Sequence, residues 1–233
     1  MSEHMALENL TVLDLTRVLA GPFCTMMLAD MGANVIKIEV PKGGDDTRSY
    51  PPFRAKNLNG ERESVYFANI NRNKKGITLN LKAPEGKEIF KELVKKADIV
   101  VENYRPGVMD KLGLGYDVLK EINPRIIYAA VSGFGCYGPY HLRPGYDILA
   151  QAMGGMMSIT GSKGGEPTRA GSALGDILGG LHVTIGILAA VNARTITGKG
   201  QRVDVSLMDS MIAATENTAL KYIETGNIPA PMG

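Results

Sequence analysis

Short apolar segments alternate with amphipathic helical segments through the first half of the chain, and this alternation most limits its fold. Residues 10–15 have the composition of a buried strand, 24–31 carry apolar residues at helical spacing, and 34–39 return to strand composition. Strands that alternate with helices form parallel sheets, because each helix carries the chain back to the same end of the sheet. We therefore predict a compact βαβ start and an α/β fold with a Rossmann-like parallel sheet flanked by helices.

The alternation continues toward the C-terminus, with one long interruption. Residues 40–75 are rich in proline, glycine and charge, which predicts a long loop that serves a site or a partner. Further strands are predicted at 77–81, 98–102, 126–131 and 202–207. Further helices are predicted at 84–96, at 117–122, after Asp176 and from 209 to about 225.

The charge balance argues against one large class of function. The chain has 26 Lys and Arg residues against 24 Asp and Glu residues among 233, so its formal net charge is +2. A nucleic-acid-binding protein that relies on bulk charge needs a larger positive excess. Hydrophobic residues make up 44% of the chain and suffice for a core. We predict a folded protein with no nucleic-acid partner.

Cysteine spacing and hydropathy indicate where the protein works. Cys24 and Cys136 form no CxxC pair and have no histidine at metal-ligand spacing, so we expect no structural zinc and a reducing, cytoplasmic compartment. Residues 1–15 lack the basic and apolar regions of a secretory signal. The most apolar segment, 177–193, contains polar residues and is shorter than the ~20 residues that span a bilayer, so we predict a buried helix and no membrane partner.

The sequence argues against three common functions. The first βα turn, 16–22, lacks the GxGxxG spacing that places a pyrophosphate at a helix N-terminus, which disfavours NAD binding. No GxxxxGK[ST] or GxSxG segment occurs, which excludes a Walker-type NTPase and an α/β-hydrolase serine. Of three histidines, His182 lies inside the apolar helix, where we predict a core histidine with satisfied hydrogen bonds.

Asp176 is the strongest candidate for a catalytic residue, because a glycine-rich segment precedes it and a long apolar helix follows. At a helix N-terminus its carboxylate would accept free backbone N–H groups, which favours the ionised form. Two interpretations stay open: an ordinary N-cap aspartate, or a carboxylate nucleophile in nearly apolar surroundings. Gly175, Gly179 and Gly180 favour the second, since a glycine that costs a helix ~1 kcal/mol indicates a close approach to the backbone.

Basic residues form a second group of candidates around the predicted third and fourth strands. We expect them at the carboxyl side of these strands or in the adjoining loops, where ligands of doubly wound sheets bind. They would form either a cradle for phosphate groups or a solvated basic surface. The residues are Arg72, Lys74, Lys75, Lys82, Arg105 and Lys111.

Five segments in chain order resemble the class III CoA-transferase family, which includes formyl-CoA:oxalate and carnitine CoA-transferases and α-methylacyl-CoA racemase. The segments are 13–22 (LDLTRVLAGP), 32–39 (GANVIKIE), 71–75 (NRNKK), 101–107 (VENYRPG) and 197–201 (TGKGQ). The resemblance covers the N-terminal part of the family's fold. It implies that residues 1–233 are the large CoA-binding domain, that the small C-terminal domain is absent, and that turnover by this chain is weak or absent.

The resemblance also implies a reaction. Asp176, in Ala173-Leu174-Gly175-Asp176, matches the family's catalytic aspartate. In the family's transferases this carboxylate attacks an acyl-CoA thioester and releases CoA thiolate, which leaves an aspartyl mixed anhydride. The acceptor acid then exchanges at the anhydride, directly or through an aspartyl-CoA thioester, and leaves as a new acyl-CoA.

CoA contacts are implied where residues match the family's adenine, ribose and phosphate contacts. Coenzyme A or acyl-CoA would bind as a substrate, and no metal is implied. Val40 departs from the pattern, because some members have an arginine there for the nucleotide, and Lys42 or Arg48 would replace it. The matching residues are Val18, Ala20, Leu79, Asn80, Leu81, Lys82, Asn103, Tyr104, Arg105, Lys111 and Arg143.

One position separates the transferase branch from the racemase branch. Racemases of the family have a histidine before the aspartate in the segment matching 145–147, where this chain has Tyr146. A phenol, with a reference pKa of about 10, is a poor base at neutral pH compared with an imidazole, whose reference pKa is about 6.5. We therefore favour CoA transfer over racemisation. A racemase-like enzyme and a catalytically silent CoA-binding module stay as alternatives.

The long loop suggests the acceptor acid and the family suggests the partners. Residues 45–48 and 51–53 look most like members that act on dicarboxylates such as succinate. Arg17 and Arg48 would pair with a second substrate carboxylate, or with loop aspartates in salt bridges. The family implies an interlocked homodimer, with an acyl-CoA and a carboxylic acid as small-molecule partners.

Overall fold

Six parallel strands form the central sheet in the computed structural model, which describes residues 4–54, 60, 62–231 and 233. Strands β3 and β4 form a separate antiparallel hairpin. In chain order the strands are β1 Thr11–Asp14, β2 Asn34–Glu39, β3 Phe53–Arg54, β4 Glu63–Ser64, β5 Lys75–Thr78, β6 Ile99–Glu102, β7 Ile127–Ser132 and β8 Arg202–Ser206.

Helices connect the strands of the large sheet and cover both of its faces, which confirms the predicted α/β class. A 3-10 helix at Asp46–Ser49 lies in the long connection after β2. The α-helices of the described residues are α1 Ala20–Asp30, α2 Val65–Ile70, α3 Pro84–Val94, α4 Val108–Leu112, α5 Tyr116–Ile122, α6 Asp147–Met153, α7 Met156–Ile159, α8 Leu174–Thr197, α9 Leu207–Ala214 and α10 Thr218–Thr225.

The strand order places a crevice next to β1. The sheet runs β5-β2-β1-β6-β7-β8, so the chain moves outward in one direction from β1 and then in the other from β6. Loops that leave β1 and β6 at their carboxyl ends therefore diverge. In open parallel sheets this divergence opens the crevice where ligands bind.

Successive strand residues point to opposite faces, and both faces are buried. Val12 and Ile99 belong to a core shared with α1 and α8, whereas Leu13 and Val100 belong to a core shared with α3 and α5. Strands of a sheet covered on both sides read as continuous apolar runs rather than as alternating patterns. This is why the central strands were recognisable from composition.

Several predicted boundaries and one predicted loop are wrong. Strand β5 covers Lys75–Thr78 instead of 77–81, because its register pairs Glu39 with Thr78. The predicted helix from 209 to 225 is two helices, α9 and α10, separated near Glu216, whose φ is +54°. The connection from 40 to 75 contains α2 as well as loop. Ser64 caps α2 by accepting the N–H of Phe67 at 3.2 Å, a capping signal that the sequence displays.

Helix α8 is long and apolar enough, by length and composition, to cross a membrane. Its packing is that of a core helix, because Val183, Ile187 and Ala190 are fully buried in the cluster that α8 shares with α1 and the sheet. His182 is half-buried, and its Nδ1 lies 2.9 Å from the carbonyl oxygen of Leu178 in the same helix. The predicted buried helix is therefore confirmed for one face only, because Leu181 and Ile185 of α8 are 37% and 62% exposed.

Candidate active site

Asp176 lies in the first turn of α8 but does not cap it. The helix begins at Leu174, its N-cap residue is Ala173, and alanine has no side chain that can accept an N–H group. Asp176 is therefore the third residue inside the helix, and the interpretation as an ordinary N-cap aspartate is wrong.

The environment of Asp176 favours its neutral form. Burial first, and then the charge of the neighbouring Asp147 carboxylate, together raise the pKa of the Asp176 carboxyl to about 7. Within the described part of the chain, no hydrogen-bond donor offsets the lost hydration of this carboxylate. The expectation that backbone N–H groups hold Asp176 ionised is wrong, because in the described residues none of them donates to Asp176, and the Gly175 N–H of the same turn donates to Asp147 instead.

Two buried aspartates provide the contrast. Asp14 accepts the Thr16 N–H at 2.9 Å and pairs with Lys74 at 3.1 Å. Asp45 pairs with Lys37 at 2.9 Å. Burial alone would raise the pKa of both carboxyls, but the lysines and hydrogen bonds lower it below the usual value. Asp14 and Asp45 are thus stabilised as anions by bonded partners, and Asp176 is not.

The glycines around Asp176 serve close packing, as predicted, but the approaching groups belong to the protein. A β-carbon at Gly179 would collide with Leu207, and one at Gly180 would lie 2.8 Å from the carbonyl oxygen of Ala20. A β-carbon at Gly175 would lie 3.1 Å from that of Ala150. These glycines bring α8 against α9, α1 and α6, and they do not by themselves mark a ligand.

Side chains from three other places in the chain hold the turn after β1. Asn103 accepts the Arg17 N–H at 2.9 Å and donates to the Arg17 carbonyl at 2.6 Å. Lys37 donates to the Thr16 carbonyl at 2.8 Å, and Asp45 accepts the Val18 N–H at 3.2 Å. Val18 has a φ of +68°, which a β-branched residue rarely adopts. The turn is therefore shaped by tertiary contacts.

The predicted phosphate cradle contains only half of the basic residues assigned to it. The Lys74 side chain is buried and pairs with Asp14. Arg72 pairs with Asp30, and Lys75 donates to Asn34 at 2.8 Å. These three precede or begin β5, so they lie at its amino end and act structurally. Arg72 and Lys75 are exposed as well, but only Lys82, Arg105 and Lys111 are both exposed and without a side-chain partner among the described residues.

Most of the residues matched to CoA contacts lie in segments that follow strands at the carboxyl edge of the sheet. Leu79 follows β5 and donates its N–H to the Glu39 carbonyl at 2.8 Å, whereas Asn103 and its neighbours follow β6. Arg143 lies in the connection after β7, with its guanidinium 4.1 Å from the ring centre of Tyr140. Ala20 is buried, and so is Leu81, so their side chains serve the core.

The arginines considered for a second substrate carboxylate are bound to protein carboxylates. Arg48 donates to Glu39 at 2.8 and 2.6 Å and lies 3.8 Å from the ring centre of Phe67. Arg17 lies 3.4 Å from Asp46, and both of these side chains are about half exposed. The salt-bridge alternative is the arrangement observed for both arginines, although the partner of Arg48 is Glu39 and not a loop aspartate.

Sequence reasoning missed three residues of this region. Burial first and then the charge of Asp176 raise the pKa of the Tyr66 phenol, in α2, to about 12, so Tyr66 lies near enough to Asp176 to be affected by its charge. Glu102 is buried at the end of β6, its pKa is raised by burial to about 7, and it accepts the hydroxyl of Tyr128 at 3.0 Å. Asp147 begins α6 and belongs to the segment 145–147 that was compared with the racemases, a comparison that assigns it no role.

Metal ligands were not expected. In the described residues, no group of three or more His, Cys, Asp or Glu side chains is arranged to hold a metal ion.

The whole length of the described fold resembles known proteins. A family model described as CoA-transferase family III matches residues 7–233. The chain is 48% identical to the acetyl-CoA:oxalate CoA-transferase of Acetobacter aceti, over 97% of this chain and 57% of that protein. It is 47% identical to the succinyl-CoA:mesaconate CoA-transferase of Haloarcula marismortui, over 98% of this chain and 58% of that protein.

A solved structure extends the likeness to three dimensions. The crystal structure of a CAIB/BAIF family protein from Brucella suis matches with a TM-score of 0.94 and 44% identity, over 99% of this chain and 61% of that one. The chain thus spans less than two thirds of the length of each of these relatives.

Proposed function

Because the chain belongs to CoA-transferase family III, we propose that it moves coenzyme A from an acyl-CoA to a free carboxylic acid through Asp176. In this proposal residues 1–233 form the large CoA-binding domain, and coenzyme A is a substrate rather than a resident cofactor. Asp176 is the nucleophile, and the loops at the carboxyl edge of the sheet bind the nucleotide.

The observation that carries the proposal is the contrast between Asp176 and the structural aspartates. Asp14 and Asp45 are stabilised as anions by lysines and hydrogen bonds. Asp176 has no such stabilisation, and its pKa is raised to about 7. A carboxylate that the fold leaves without donors is more basic and more nucleophilic than a bonded one, and carboxyl groups perturbed in this way concentrate at functional sites.

The reaction balances with Asp176 as the covalent carrier. An oxygen of the ionised carboxylate attacks the thioester carbonyl carbon, the C–S bond breaks, and CoA leaves as the thiolate. The thiolate then attacks the aspartyl carbonyl of the mixed anhydride, which gives an aspartyl-CoA thioester and releases the donor acid. Attack by the acceptor carboxylate and return of the thiolate to the new anhydride give the product acyl-CoA and free Asp176.

Burial of Asp176 serves the covalent intermediates as well as the nucleophile. An anhydride and an aspartyl thioester are both hydrolysed if water reaches them, so the site must keep water away between the half-reactions. About one turn after Asp176, α8 packs against α9 at Gly179 and against α1 at Gly180, and we propose that this packing keeps water from that side of the site. Burial is also the first cause of the raised pKa of Asp176.

Nucleotide binding is proposed at the edge where β5, β2, β1 and β6 end. Lys82, Arg105 and Lys111 are exposed there or in the following helix, and they offer positive charge to phosphate groups. The side-chain amide of Asn103 is already hydrogen-bonded to the backbone of Arg17, so we propose that Asn103 shapes the nucleotide turn. Arg48 is engaged with Glu39, so it replaces the family arginine only if that pair opens.

The acceptor is proposed to be a dicarboxylic acid. The two relatives described above are named for oxalate and mesaconate, and each of these acids has two carboxylates. In this chain Arg17 is the half-exposed arginine of the nucleotide turn, with a single partner at 3.4 Å, so exchange of Asp46 for a substrate carboxylate requires little rearrangement.

The homodimer and the cytoplasmic location stay predictions. Exposed apolar residues of α10 provide a surface that an assembly would cover, among them Leu220 and Ile223.

The decisive test is covalent capture in a single turnover. The protein is incubated with succinyl-CoA, quenched in acid and digested, and the peptide containing Asp176 is analysed by mass spectrometry. We expect a CoA thioester or a succinyl adduct on Asp176. Asp176→Asn should lose the adduct and keep CoA binding, whereas Asp117→Asn, an exposed aspartate of α5, should form it like the wild type.

The same samples separate the alternatives. CoA binding without an adduct, unchanged by Asp176→Asn, would indicate a silent CoA-binding module. Incorporation of deuterium at the α-carbon of a 2-methylacyl-CoA in heavy water, without CoA transfer, would indicate the racemase branch. That outcome is unexpected, because Tyr146, which is 69% exposed, stands where the racemases have a histidine.

A further inference from the structure

Asp147 is a mostly buried carboxylate beside the proposed nucleophile, with its side chain 12% exposed, and the transfer mechanism above does not use it. Its Oδ1 accepts the backbone N–H of Gly175, the residue before Asp176, at 2.8 Å. The amide nitrogen of Gln151, one turn later in α6, lies 3.0 and 2.9 Å from the two carboxylate oxygens. The Nε of Arg169 lies 3.7 Å from Oδ2.

The bond to Gly175 replaces a missing helix cap. The first N–H groups of a helix have no partner within it, and a side chain at the N-cap normally accepts one of them. Ala173 occupies the N-cap of α8 and cannot do so. Asp147 performs this function from another helix, so the position of α6 determines the first turn of the helix that carries Asp176.

A rigid frame holds Asp147 in place. The backbones of Gly133 and Gly145 cross so closely that a β-carbon on either would collide with the α-carbon of the other. This crossing ties the start of α6 to the end of β7. Gln151 is fully buried and accepts the N–H of Ala170 at 2.9 Å, which ties α6 to the segment that leads into α8.

Asp147 also acts on Asp176 through its charge. The titratable groups that face Asp176 are Asp147 of α6 and the neutral phenol of Tyr66 of α2. The guanidinium of Arg169 is half exposed, so its charge is partly screened by water. Two carboxylates in one partly buried site resist simultaneous ionisation, and the fixed charge of one raises the proton affinity of the other.

We propose that Asp147 is the positioning residue of the nucleophile: it orients Asp176 through the Gly175 N–H and sets the basicity of Asp176 through its negative charge. This inference rests on the proposed function of Asp176. It assigns two effects to one side chain, and each effect has its own measurement.

The charge effect is measured without substrate, by carboxyl titration. The protein is labelled with [γ-¹³C]aspartate, and the Asp176 resonance is identified by its absence from Asp176→Asn. In the wild type we expect a midpoint near 7, as the environment of Asp176 requires. In Asp147→Asn, and equally in Asp147→Ser as a second neutral variant, we expect it to fall by at least about one pH unit, a tenfold change in proton affinity.

The positioning effect is measured by hydrogen exchange at a single amide. The Gly175 N–H should be protected in the wild type and in Asp147→Asn, which keeps an acceptor oxygen, and should exchange at least about tenfold faster in Asp147→Ala. Asp117→Asn on the surface of α5 should leave both the titration and the exchange unchanged.

The outcomes separate this inference from the proposed function. An unchanged Asp176 midpoint in both neutral variants would overturn the charge effect, and unchanged Gly175 exchange in Asp147→Ala would overturn the positioning effect. Both readouts are independent of acyl-CoA. A wild-type protein that shows them but forms no adduct with succinyl-CoA would refute the nucleophile and leave the Asp147 contacts standing.

Discussion

The side-chain amide of Asn103 binds both backbone groups of Arg17, accepting the N–H at 2.9 Å and donating to the carbonyl at 2.6 Å. The two residues follow β6 and β1, the neighbouring strands where the sheet order reverses. One side chain thus spans the crevice edge and holds the turn in which Val18 has a positive φ. The shape of the proposed nucleotide site depends on this bridge.

Removing the bridge should weaken CoA binding. Asn103→Ala breaks two hydrogen bonds, each worth about 0.5–1.5 kcal/mol, and frees Val18 to leave its unfavourable conformation. We expect the Kd for CoA, measured by isothermal titration calorimetry, to rise about tenfold. Asn192→Ala, at an exposed position of α8, is the matched control and should bind like the wild type. Equal affinities in the two variants would show that the turn needs no bridge.

The rate of covalent capture should increase with pH. Only the ionised carboxylate attacks a thioester, and the pKa of Asp176 is raised to about 7. We expect the single-turnover rate of adduct formation with succinyl-CoA to rise between about pH 6 and 8 and to level off above. Quenched-flow mass spectrometry measures this rate. A rate that is already maximal at pH 5 would mean that Asp176 has an ordinary carboxyl pKa.

The same carboxyl should make the wild type less stable at high pH. The folded-state pKa of about 7 lies above the ordinary aspartate value of 3.8, so the native state binds the extra proton between these values. The contribution to the free energy of unfolding is present at low pH and is lost as the pH rises toward 7. Asp176→Asn should therefore raise the Tm more at pH 8 than at pH 5, as measured by calorimetry. A Tm gain that is equal at both pH values would contradict this linkage.

The buried pair of Lys74 and Asp14 should be essential for folding stability. Lys74→Met leaves the Asp14 carboxylate uncompensated in the core, and loss of one partner of a buried pair costs about 3–5 kcal/mol. Urea unfolding should show this loss at pH 7. Because the folded state lowers the pKa of Asp14, the stabilisation is present above the unfolded value and disappears as the pH falls through the folded one. Lys95→Met, which removes an exposed pair with Glu92, should cost less than about 1 kcal/mol.

The crossing of Gly133 and Gly145 should tolerate no side chain. Gly133→Ala places a methyl group against the Gly145 backbone, which can move only by displacing the start of α6. We expect a destabilisation of about 1–3 kcal/mol in urea unfolding and a slower rate of adduct formation, because Asp147 moves with α6. Gly76→Ala is the matched control: its added methyl group meets nothing within 4 Å, so both quantities should stay near the wild-type values.

Patterns within short stretches of sequence predicted much of the fold. Residues 34–39 form β2 as predicted, and α3 begins with Pro84 as predicted, since composition and proline placement act on neighbouring residues. The family resemblance carried by five segments is confirmed. Predicted strand boundaries were wrong where pairing with a strand distant in sequence sets them. In β5 the first and last residues follow from its register with β2.

The candidate site divides in the same way. The sequence by itself placed Asp176 at the N-terminal end of a long apolar helix and placed loops of CoA-binding type after the strands, because both follow from local periodicity and motif order. Only the tertiary structure decided that Asp176 is more basic than an ordinary aspartate and that Lys74 is structural. Both results come from groups distant in sequence: the charge of Asp147 acts on Asp176, and Asp14 pairs with Lys74. Charge and burial act through space, so chain folding had to bring these groups together before their chemistry was determined.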